Sequence, residues 1–496
     1  MAVGEMQPLS TMALGELLGV STSHGGETVI ADVTLDSRQA GPGSLFIAIP
    51  GEVHDGRQFI EQAVANGCAA VVAEPPVSGF VDALPVPLVE VPDLRDEAGH
   101  IAARFFGYPA RDVHTVGTTG TNGKTTTSHL IAQLNRALGR RCGVIGTLGS
   151  TLGDTVTEAV NTTPDAVSLQ RQLASWRQEG VKAVSMEVSS HALVQGRVNG
   201  LEFATAIFTN LSHDHLDYHG SMAAYGRAKL KLFSGEPLGH AVINLDDAFA
   251  PQVIASVPAG VPVVNYSVQG GDADVRTVDT RYTADGARAT LQTPWGTASL
   301  VSPLVGDFNL ANLTAAIVAV VLSGQDLDAV VGAAAHLNPV EGRMHRIENS
   351  QGIQVLVDYA HTPDALAKVL TTVRPHVAGR LSVVFGCGGE RDREKRQVMG
   401  RTACALADHV WVTSDNPRGE DPAAIIDDVV TGCSGSFDVE ADRAAAIANA
   451  ITAASAGDCV VIAGKGHEKY QLIEGEKRYF SDVEEAARAL EDRSST

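Results

Sequence analysis

A short β-type run followed by a glycine-rich turn and a helical pattern is the feature that most constrains the fold. The run at 113–116 leads into GTTGTNGKTT at 117–126. Such a turn directs backbone N–H groups and a helix N-terminus at a phosphate, while Lys124 reaches the outer phosphates and the Thr125 hydroxyl can hold Mg²⁺. Thr118 stands where the strict pattern has glycine. The sequence therefore predicts a P-loop variant that binds ATP or GTP.

The bulk composition predicts a large enzyme rather than a nucleic-acid-binding or membrane protein. A chain of 496 residues exceeds one hydrophobic core, and at roughly 150 residues per domain we expect about three domains. The formal net charge of −21 argues against nucleic acid or an anionic membrane as a partner. The sequence shows no CxxC spacing, no basic leader and no apolar run of roughly 20 residues. We therefore expect a cytoplasmic monomer without membrane insertion.

A small α/β domain is predicted over residues 1–110. Buried-strand runs lie at 45–49 and 69–73, and the stretch 56–66 between them has a helical pattern. The order strand, helix, strand is typical of a small α/β unit.

The P-loop belongs to a predicted central domain, residues 111–340. The run 181–187 is a strand that ends in Glu187, a position from which a carboxylate can hold Mg²⁺ beside a P-loop. Short polar and apolar runs alternate over 262–301 and predict antiparallel strands, and 309–322 is an alanine-rich helix.

Three histidines follow another predicted strand of the central domain. His213, His215 and His219 are interleaved with Asp214 and Asp217, and the H-x-H-x₃-H spacing permits a zinc site. The neighbouring P-loop instead implies Mg²⁺, which prefers oxygen ligands. We expect one of these histidines to lie near the metal bound with ATP.

The C-terminal part, residues 341–496, alternates strands and helices throughout. This alternation predicts a Rossmann-like, doubly wound parallel sheet, in which ligands bind beyond the carboxyl ends of the strands. Four polar, glycine-rich loops follow the predicted strands, at 358–361, 386–393, 414–420 and 464–468. We therefore predict a second binding site at this edge.

A P-loop, a strand-end carboxylate and a second binding edge together favour one reaction type. ATP would activate a carboxylate as an acyl phosphate, and an amine held on the second edge would capture it. Cations and Mg²⁺ stabilise the charge that accumulates. A kinase or a GTPase-like switch has the same spacing, but a switch has no use for the second edge.

The motifs in combination resemble the Mur ligase family. The segments that carry the resemblance are GTTGTNGKTT (117–126), NTTPD (161–165), EVSSHALVQGRV (187–198), NLSHDHLDYHG (210–220), AKLKLF (228–233), EGRMHRI (341–347), VDYAHTPDAL (357–366), FGCGGERDREKR (385–396), DNPRGEDP (415–422) and GKGHE (464–468). The resemblance implies the three-domain plan above and an ATP-dependent ligase that adds meso-2,6-diaminopimelate to UDP-MurNAc-L-Ala-D-Glu in peptidoglycan precursor synthesis.

The resemblance also implies a role for individual residues. For ATP these are Gly120, Thr121, Asn122, Gly123, Lys124, Thr125, Thr126, Asn309, Arg343 and Asp358. For the nucleotide sugar they are Leu35, Ser37, the stretch 52–54, Asn161, Thr162, Thr163, Ser189, Gln195 and Arg197. For the amino acid they are Arg391, Asp415, Asn416, Pro417, Arg418, Gly464 and Glu468. The implied Mg²⁺ ligands are Thr125, Glu187, His215 and a carbamylated Lys229, and the implied catalytic residues are Lys124, Glu187, His215 and Lys229.

For Lys229 only the resemblance suggests a role, whereas for Arg418 the chemistry of the side chain also does. Without the resemblance, Lys229 would be interpreted as a solvated helix lysine. Arg418 has a physical reason of its own, because a guanidinium grips the extra carboxylate of diaminopimelate and repels the ammonium of lysine. The alternatives are a ligase that adds L-lysine, a folylpolyglutamate synthase-like ligase, and a nucleotide-binding scaffold without turnover. The DNPR and GKGHE segments count against the second, and the intact Lys124 and Glu187 count against the third.

Overall fold

Three sheets, formed by successive parts of the chain, carry the architecture. The computed structural model describes residues 11–19, 25–51, 54–78, 84–158, 161–283 and 286–494. Each sheet is mainly parallel and is covered by helices on both faces, which explains why its strands are continuous apolar runs. The predicted fold class is confirmed, since the protein is α/β with a small N-terminal α/β domain, a central P-loop domain and a C-terminal Rossmann-like doubly wound domain.

The N-terminal sheet has four parallel strands in chain order. The elements of this part are β1 (Met12–Ala13), α1 (Leu14–Leu18), β2 (Val29–Ile30), β3 (Asp32–Thr34), β4 (Ser44–Ala48), α2 (Ile60–Ala65), β5 (Ala70–Ala73), β6 (Leu88–Glu90) and α3 (Leu94–Phe105), with 3₁₀ turns at Ser37–Gln39 and Gly56–Phe59. β1 and β2 form a separate antiparallel pair. Alternate residues of β4 face opposite helices, because Phe46 packs with Ile60 on α2 while Leu45 packs with Leu94 on α3.

The central sheet has eleven strands in the order β10-β9-β8-β11-β7-β12-β13-β14-β15-β16-β17. They are β7 (His114–Thr119), β8 (Cys142–Gly146), β9 (Gly149–Leu152), β10 (Thr155–Thr157), β11 (Ala183–Glu187), β12 (Phe203–Phe208), β13 (Leu238–Asn244), β14 (Val263–Ser267), β15 (Val275–Thr283), β16 (Gly286–Thr293) and β17 (Gly296–Ser302). The helices are α4 (Lys124–Ala137), α5 (Ala166–Gln178), α6 (Ser190–Val194), α7 (Leu216–His219), α8 (Met222–Ser234), α9 (Ala250–Ser256), α10 (Asp307–Leu322) and α11 (Leu327–Ala334), preceded by a 3₁₀ turn at Pro109–Arg111.

The position of β7 within this sheet determines where a ligand can bind. The chain leaves β7 for strands on one side and returns to add β12 on the other side, so the turn after β7 lies where the strand order reverses.

The prediction of antiparallel strands over 262–301 was wrong for part of that stretch. β14 runs parallel to β13, because the crossover helix α9 between them brings the chain back in the same direction. β15 also begins parallel to β14, where Tyr266 pairs with Val275 and Ser267 pairs with Arg276. Only β15, β16 and β17 are antiparallel to one another.

The C-terminal sheet has six strands in the order β18-β19-β23-β20-β21-β22. They are β18 (His345–Arg346), β19 (Gln354–Asp358), β20 (Leu381–Phe385), β21 (His409–Val412), β22 (Phe437–Val439) and β23 (Cys459–Ala463), followed by a hairpin of β24 (Tyr470–Ile473) and β25 (Glu476–Tyr479). The helices are α12 (Pro363–Val373), α13 (Glu394–Leu406), α14 (Pro422–Val430), α15 (Arg443–Ala453) and α16 (Asp482–Ser494), with a 3₁₀ turn at Arg374–His376. Apart from β18, the strands of this sheet are parallel.

Capping residues set where the helices of the C-terminal sheet begin. Thr362 accepts a hydrogen bond from the backbone of α12, and Asp421 does the same for α14, each followed by a proline at the first helical position. These helices lie immediately after the strand-end loops and hold the ends of those loops in place. Within the described ranges, none of the helices combines the length and the apolarity needed to cross a membrane.

Candidate active site

The turn between β7 and α4 has the backbone geometry of an anion-binding loop. Gly123 has φ +88°, and a Cβ there would lie 2.3 Å from Oδ1 of Asn312, so glycine is required. The Lys124 ammonium folds back over the turn and donates to the carbonyls of Gly120 and Thr121, at 2.9 and 2.8 Å. The loop is therefore closed by its own lysine at the N-terminus of a helix of 14 residues.

The carboxylate of Glu187 lies directly beside this turn, at the end of β11. It is 1% exposed and accepts a hydrogen bond from Oγ1 of Thr125 at 2.9 Å. The backbone N–H and the hydroxyl of Thr147 donate to the same carboxylate at 2.8 and 3.2 Å. The structure thus brings together the strand-end carboxylate and the P-loop threonine that sequence reasoning singled out separately.

His215 and Lys229 lie in the neighbouring segment of the central domain. Burial lowers the pKa of His215 to about 4, and its Nε2 is 3.3 Å from Oδ2 of Asp214. Lys229 is 1% exposed, and its Nζ lies 4.3 Å from the centre of the Tyr225 ring. Burial lowers the pKa of Lys229 well below its usual value. The interpretation of Lys229 as a solvated helix lysine is therefore wrong, because α8 turns this residue inward.

The other two histidines of the H-x-H-x₃-H pattern point to different partners. His213 lies 3.9 Å from the Asp392 carboxylate of the C-terminal domain, while Nε2 of His219 is 2.9 Å from the Ser190 hydroxyl. Among the residues that the structure describes, no group of three or more His, Cys, Asp or Glu side chains could hold a metal ion. The arrangement gives no support to the zinc alternative.

Several residues predicted to contact the nucleotide sugar are joined to one another around the Glu187 backbone. The Thr163 hydroxyl donates to the Glu187 carbonyl at 2.9 Å and accepts from the backbone N–H of Ser189 at 3.1 Å. Arg197 donates to the Thr163 carbonyl at 2.8 Å, and the Thr162 hydroxyl is 3.1 Å from that of Thr147. These side chains form one continuous wall next to the P-loop.

The remaining residues predicted for the nucleotide sugar are not joined to this wall by any hydrogen bond in the described part of the chain. Ser37 lies in the N-terminal domain, where its hydroxyl donates to a glutamine side chain at 2.8 Å, and Leu35 packs at the edge of the N-terminal core. Asn161 is exposed, and Gln195 donates to a tyrosine hydroxyl at 3.3 Å. Residues 52 and 53, which were also predicted to lie here, fall outside the described residues.

A cavity of about 190 Å³ lies between the P-loop and the C-terminal domain. Asn309, Arg343 and Asp358 line it, together with P-loop residues. Arg343 donates to Oγ1 of Thr125 at 3.1 Å, and its guanidinium carbon lies 4.3 Å from the centre of the Tyr359 ring. The Asp358 carboxylate accepts two backbone hydrogen bonds at 2.7 and 2.8 Å, and burial raises its pKa. The three residues predicted for the base and ribose therefore share one cavity.

The loops after β21 and β23 meet at the carboxyl edge of the C-terminal sheet. The Asn416 amide donates to Oε2 of Glu468 at 2.8 Å, and its oxygen accepts from Nζ of Lys465 at 3.0 Å. A Cβ at Gly464 would lie 2.6 Å from Oδ2 of Asp415. Four of the residues predicted to bind the amino acid, in two different loops, are therefore in close contact.

Arg418 stands at the mouth of these loops. Its backbone adopts φ +55° and is held by a hydrogen bond from its N–H to the Leu472 carbonyl at 2.8 Å. Its Nη1 donates to the Gly389 carbonyl at 2.8 Å. Pro417 is buried beside it, and Arg391 is exposed on the neighbouring loop. Only one edge of the Arg418 guanidinium is hydrogen-bonded to another described residue.

Sequence reasoning missed several residues that organise the site. Thr147 fixes the Glu187 carboxylate, Tyr225 covers Lys229, and Lys465 holds Asn416 and Glu468 together. Lys465 lies within the GKGHE segment, and Tyr225 precedes Lys229 by one helical turn. The sequence positions of both residues could therefore have indicated that they lie at the site. Thr147 follows an ordinary apolar strand and had none.

The chain matches three models of one family over most of its length. Residues 29–106 match the Mur ligase family catalytic domain, residues 118–320 match the Mur ligase middle domain, and residues 342–466 match the Mur ligase glutamate ligase domain. The three matched segments follow the order of the three sheets.

Full-length relatives and a solved structure agree with these matches. A protein of Chromobacterium violaceum named UDP-N-acetylmuramoyl-L-alanyl-D-glutamate–2,6-diaminopimelate ligase is 49% identical, over 93% of this chain and 94% of its own length. A protein of the same name from Ectopseudomonas mendocina is 48% identical, over 97% and 98%. A solved structure of a ligase of that name superposes with a TM-score of 0.74 at 39% identity, over 98% of this chain and 100% of the other. The chain belongs to the Mur ligase family.

Proposed function

We propose that this protein is an ATP-dependent ligase that joins meso-2,6-diaminopimelate to the D-glutamyl carboxylate of UDP-MurNAc-L-Ala-D-Glu, a step of peptidoglycan precursor synthesis. The observation that carries this proposal is the half-anchored guanidinium of Arg418 at the mouth of the amino-acid loops. Relatives that align with 93% and 97% of the chain, at 49% and 48% identity, bear the name of this activity. The domain division at 1–110, 111–340 and 341–496 is part of the proposal and is supported by the separate sheets.

ATP is assigned to the P-loop and to the cavity beside it. The backbone N–H groups of 120–126 and the Lys124 ammonium receive the phosphates. Asn309, Arg343 and Asp358 line the cavity that is available to the base and ribose. Lys124 must leave the carbonyls of its own loop to reach the outer phosphates, and this exchange of partners costs little because both sets are hydrogen-bond acceptors.

The donor set beside the P-loop fits Mg²⁺. Glu187 and Thr125 offer oxygen atoms in hydrogen-bond contact with each other, and the depressed pKa of His215, about 4, keeps its imidazole neutral and able to act as a ligand. When bound there, Mg²⁺ would neutralise the charge that develops on the transferring phosphoryl group. Thr147 and Thr163 hold the carboxylate and the backbone of Glu187 in place for this role.

Once carbamylated, Lys229 would supply a further ligand for Mg²⁺. In the described part of the chain no carboxylate lies within ion-pair distance of its Nζ, and burial lowers the pKa of the amine. A neutral amine adds to carbon dioxide, forms an N–C bond and loses a proton. The product is a carbamate, so a cation that is costly to bury becomes an anionic oxygen ligand. The Tyr225 ring packs against the side chain on one side.

The nucleotide sugar is assigned to the wall of hydroxyl and guanidinium groups next to Glu187. Ser189 and Arg197 are hydrogen-bonded there to Thr163, while Thr162 is hydrogen-bonded to Thr147. Such a wall would orient the muramoyl dipeptide so that its terminal carboxylate faces the phosphates at the P-loop. Leu35 and Ser37 belong to the uracil end of the substrate in this proposal, which requires the substrate to span from the N-terminal to the central domain.

The amino acid is assigned to the loops at 415–418 and 464–468. Nε and Nη2 of Arg418 have no hydrogen-bond partner among the described residues, so they can grip the distal carboxylate of diaminopimelate through two parallel hydrogen bonds. Asp415, which is buried, and Glu468 offer carboxylates for an ammonium group. An L-lysine substrate would bring a second ammonium towards the arginine and would be repelled.

The proposed reaction has two chemical steps. The D-glutamyl carboxylate attacks the γ-phosphorus of ATP, which forms an acyl phosphate and releases ADP. The amine of diaminopimelate then attacks the acyl carbon, a proton leaves the nitrogen, and phosphate departs with the C–O bond electrons. The contacts of Arg343 with Thr125 hold the C-terminal domain close to the P-loop, where amine and acyl phosphate can meet away from water.

The decisive experiment is release of phosphate from ATP in the presence of UDP-MurNAc-L-Ala-D-Glu, with either meso-diaminopimelate or L-lysine. The proposal expects release with diaminopimelate and little with lysine. Equal release with lysine would keep the ligase but remove the role given to Arg418. Without release for either amino acid, the proposed activity would be wrong.

A further inference from the structure

A buried ion pair outside the proposed site joins the last helix to the amino-acid loops. Arg443 begins α15 and Asp482 begins α16, and both side chains are 0% exposed. Nε and Nη2 of Arg443 donate to the two carboxylate oxygens of Asp482, each at 2.7 Å. Burying two charges is costly, and a cation in the first turn opposes the helix dipole. The stability of α15 therefore does not explain the presence of Arg443.

The same guanidinium also binds the ends of two strands. Its Nη2 donates to the Ala463 carbonyl at 2.9 Å, and its Nη1 donates to the Ser414 carbonyl at 3.3 Å. Ala463 ends β23 and directly precedes Gly464, while Ser414 follows β21 and directly precedes Asp415. Because β21 and β23 flank β20, one side chain ties together two loops that the sheet does not pair with each other.

The two loops are in close contact where Gly464 approaches Asp415. A Cβ added at Gly464 would lie 2.6 Å from Oδ2 of Asp415 and 3.8 Å from Nη2 of Arg443. A shift of either strand end would therefore move Asp415 against Gly464 or open a gap between them. The planar fork of Arg443 fixes both carbonyls at once, and Asp482 fixes the fork.

We propose that the Arg443–Asp482 pair is a positioning element of the amino-acid site, through which α16 sets the separation of the loops at 415–418 and 464–468. Neither residue touches the amino acid, and both act through the backbone of Ser414 and Ala463. The inference rests on the proposed function, since it assigns the acceptor amino acid to these two loops. The matched family segment ends at residue 466, before Asp482.

The test uses the full-length protein with both ionic partners replaced by apolar side chains, Arg443→Met with Asp482→Leu. Replacing a buried ion pair by apolar groups is often neutral for stability. An effect of the double variant on the amino-acid site can therefore be distinguished from a loss of folding. We expect the KM for meso-diaminopimelate to rise about 10- to 100-fold, with the KM for ATP unchanged. Asp482→Asn, which keeps the shape of the side chain, should raise the same KM by a smaller factor.

The matched control is Arg374→Met. Arg374 pairs with Asp408 at the opposite edge of the same sheet, where Asp408 also accepts from the backbone of Leu381 at the start of β20. This variant should leave both KM values unchanged. An unchanged diaminopimelate KM in the folded double variant would overturn the inference.

Two further outcomes are decisive. If both Asp482→Asn and the double variant lose the far-UV circular dichroism spectrum of the folded protein, the pair is a stability element and the positioning role is wrong. If the unaltered protein releases no phosphate with meso-diaminopimelate, the proposed function fails and the inference fails with it.

Discussion

Arg343 donates a hydrogen bond of 3.1 Å to the hydroxyl oxygen of Thr125, across 218 positions of the sequence. Thr125 in turn gives its own hydrogen to Glu187, and Arg343 lies over the ring of Tyr359 at the end of β19. The first segment of the C-terminal part of the chain is thus bonded to the P-loop itself. The proposed nucleotide site is therefore formed by residues of both domains.

Arg343→Ala is expected to raise the KM for ATP about 10- to 100-fold, equivalent to about 1.4–2.8 kcal/mol. The substitution removes the hydrogen bond to Thr125 and one wall of the cavity. Steady-state phosphate release at varied ATP measures the effect. Arg346→Ala is the control, because Arg346 is half exposed and faces Glu348 at 3.8 Å. Equal effects of the two substitutions would contradict a specific role for Arg343.

Arg418 is expected to determine the affinity for the amino acid. Its φ of +55° would strain an alanine, whereas asparagine tolerates this conformation, so Arg418→Asn and Arg418→Ala separate side chain from backbone. Both should raise the diaminopimelate KM roughly 100-fold, because a bidentate charged contact is lost, with the ATP KM unchanged. Arg478→Ala, on the exposed strand β25, is the control. If only the alanine variant is impaired, backbone strain is the cause and the guanidinium has no direct role.

Lys229→Ala is expected to abolish ligation while nucleotide binding persists. Isothermal titration should give an ADP affinity close to that of the unaltered protein, since Lys229 is not among the residues that line the nucleotide cavity. Phosphate release should fall by about 100-fold or more, because one charge-stabilising ligand is missing. Lys231→Ala, two positions later on the exposed face of α8, should retain activity. Normal turnover in Lys229→Ala would reject the proposed role.

The elements with local signals were predictable from the sequence. The P-loop turn follows from its glycines and from the Lys-Thr pair, and α12 and α14 begin where Thr-Pro and Asp-Pro occur. The order of the strands within each sheet had no such local signal. β23 is the last parallel strand of the chain, yet it lies in the middle of the C-terminal sheet between β19 and β20. Only the packing of helices on both faces fixes that position.

The burial of individual charged side chains was the second feature that local sequence patterns could not predict. Lys229 has the sequence context of a surface lysine, and only the packing of α8 against the sheet places it inside. Arg396 and Arg443 are both buried, and their acidic partners are distant in the chain. The residues of the candidate site came from motifs, whereas the groups that hold those residues in place became visible only in three dimensions.

The Glu420–Arg396 pair predicts a specific dependence of stability on pH. Hydrogen bonds from Arg396, at 2.9 and 3.0 Å, lower the pKa of Glu420 to about 2 from an ordinary value of 4.5. A depressed carboxyl pKa stabilises the folded state above the unfolded pKa, and this contribution is lost as the pH falls from about 4.5 towards 2. Glu420→Gln should therefore destabilise the protein at pH 7 and progressively less at pH 4 and below.

Scanning calorimetry of the two proteins between pH 3 and 7 measures this dependence. At pH 7 the loss of about 2 kcal/mol, typical of hydrogen bonds to a charged group, should lower the Tm by roughly 4–8 °C for a domain of this size. Glu476→Gln is the control, because Glu476 is 73% exposed and 3.6 Å from Arg478, and it should give the same small difference at every pH. A Tm difference for Glu420→Gln that stays constant from pH 7 to pH 3 would show that the carboxylate charge contributes nothing and that the variant acts through packing alone.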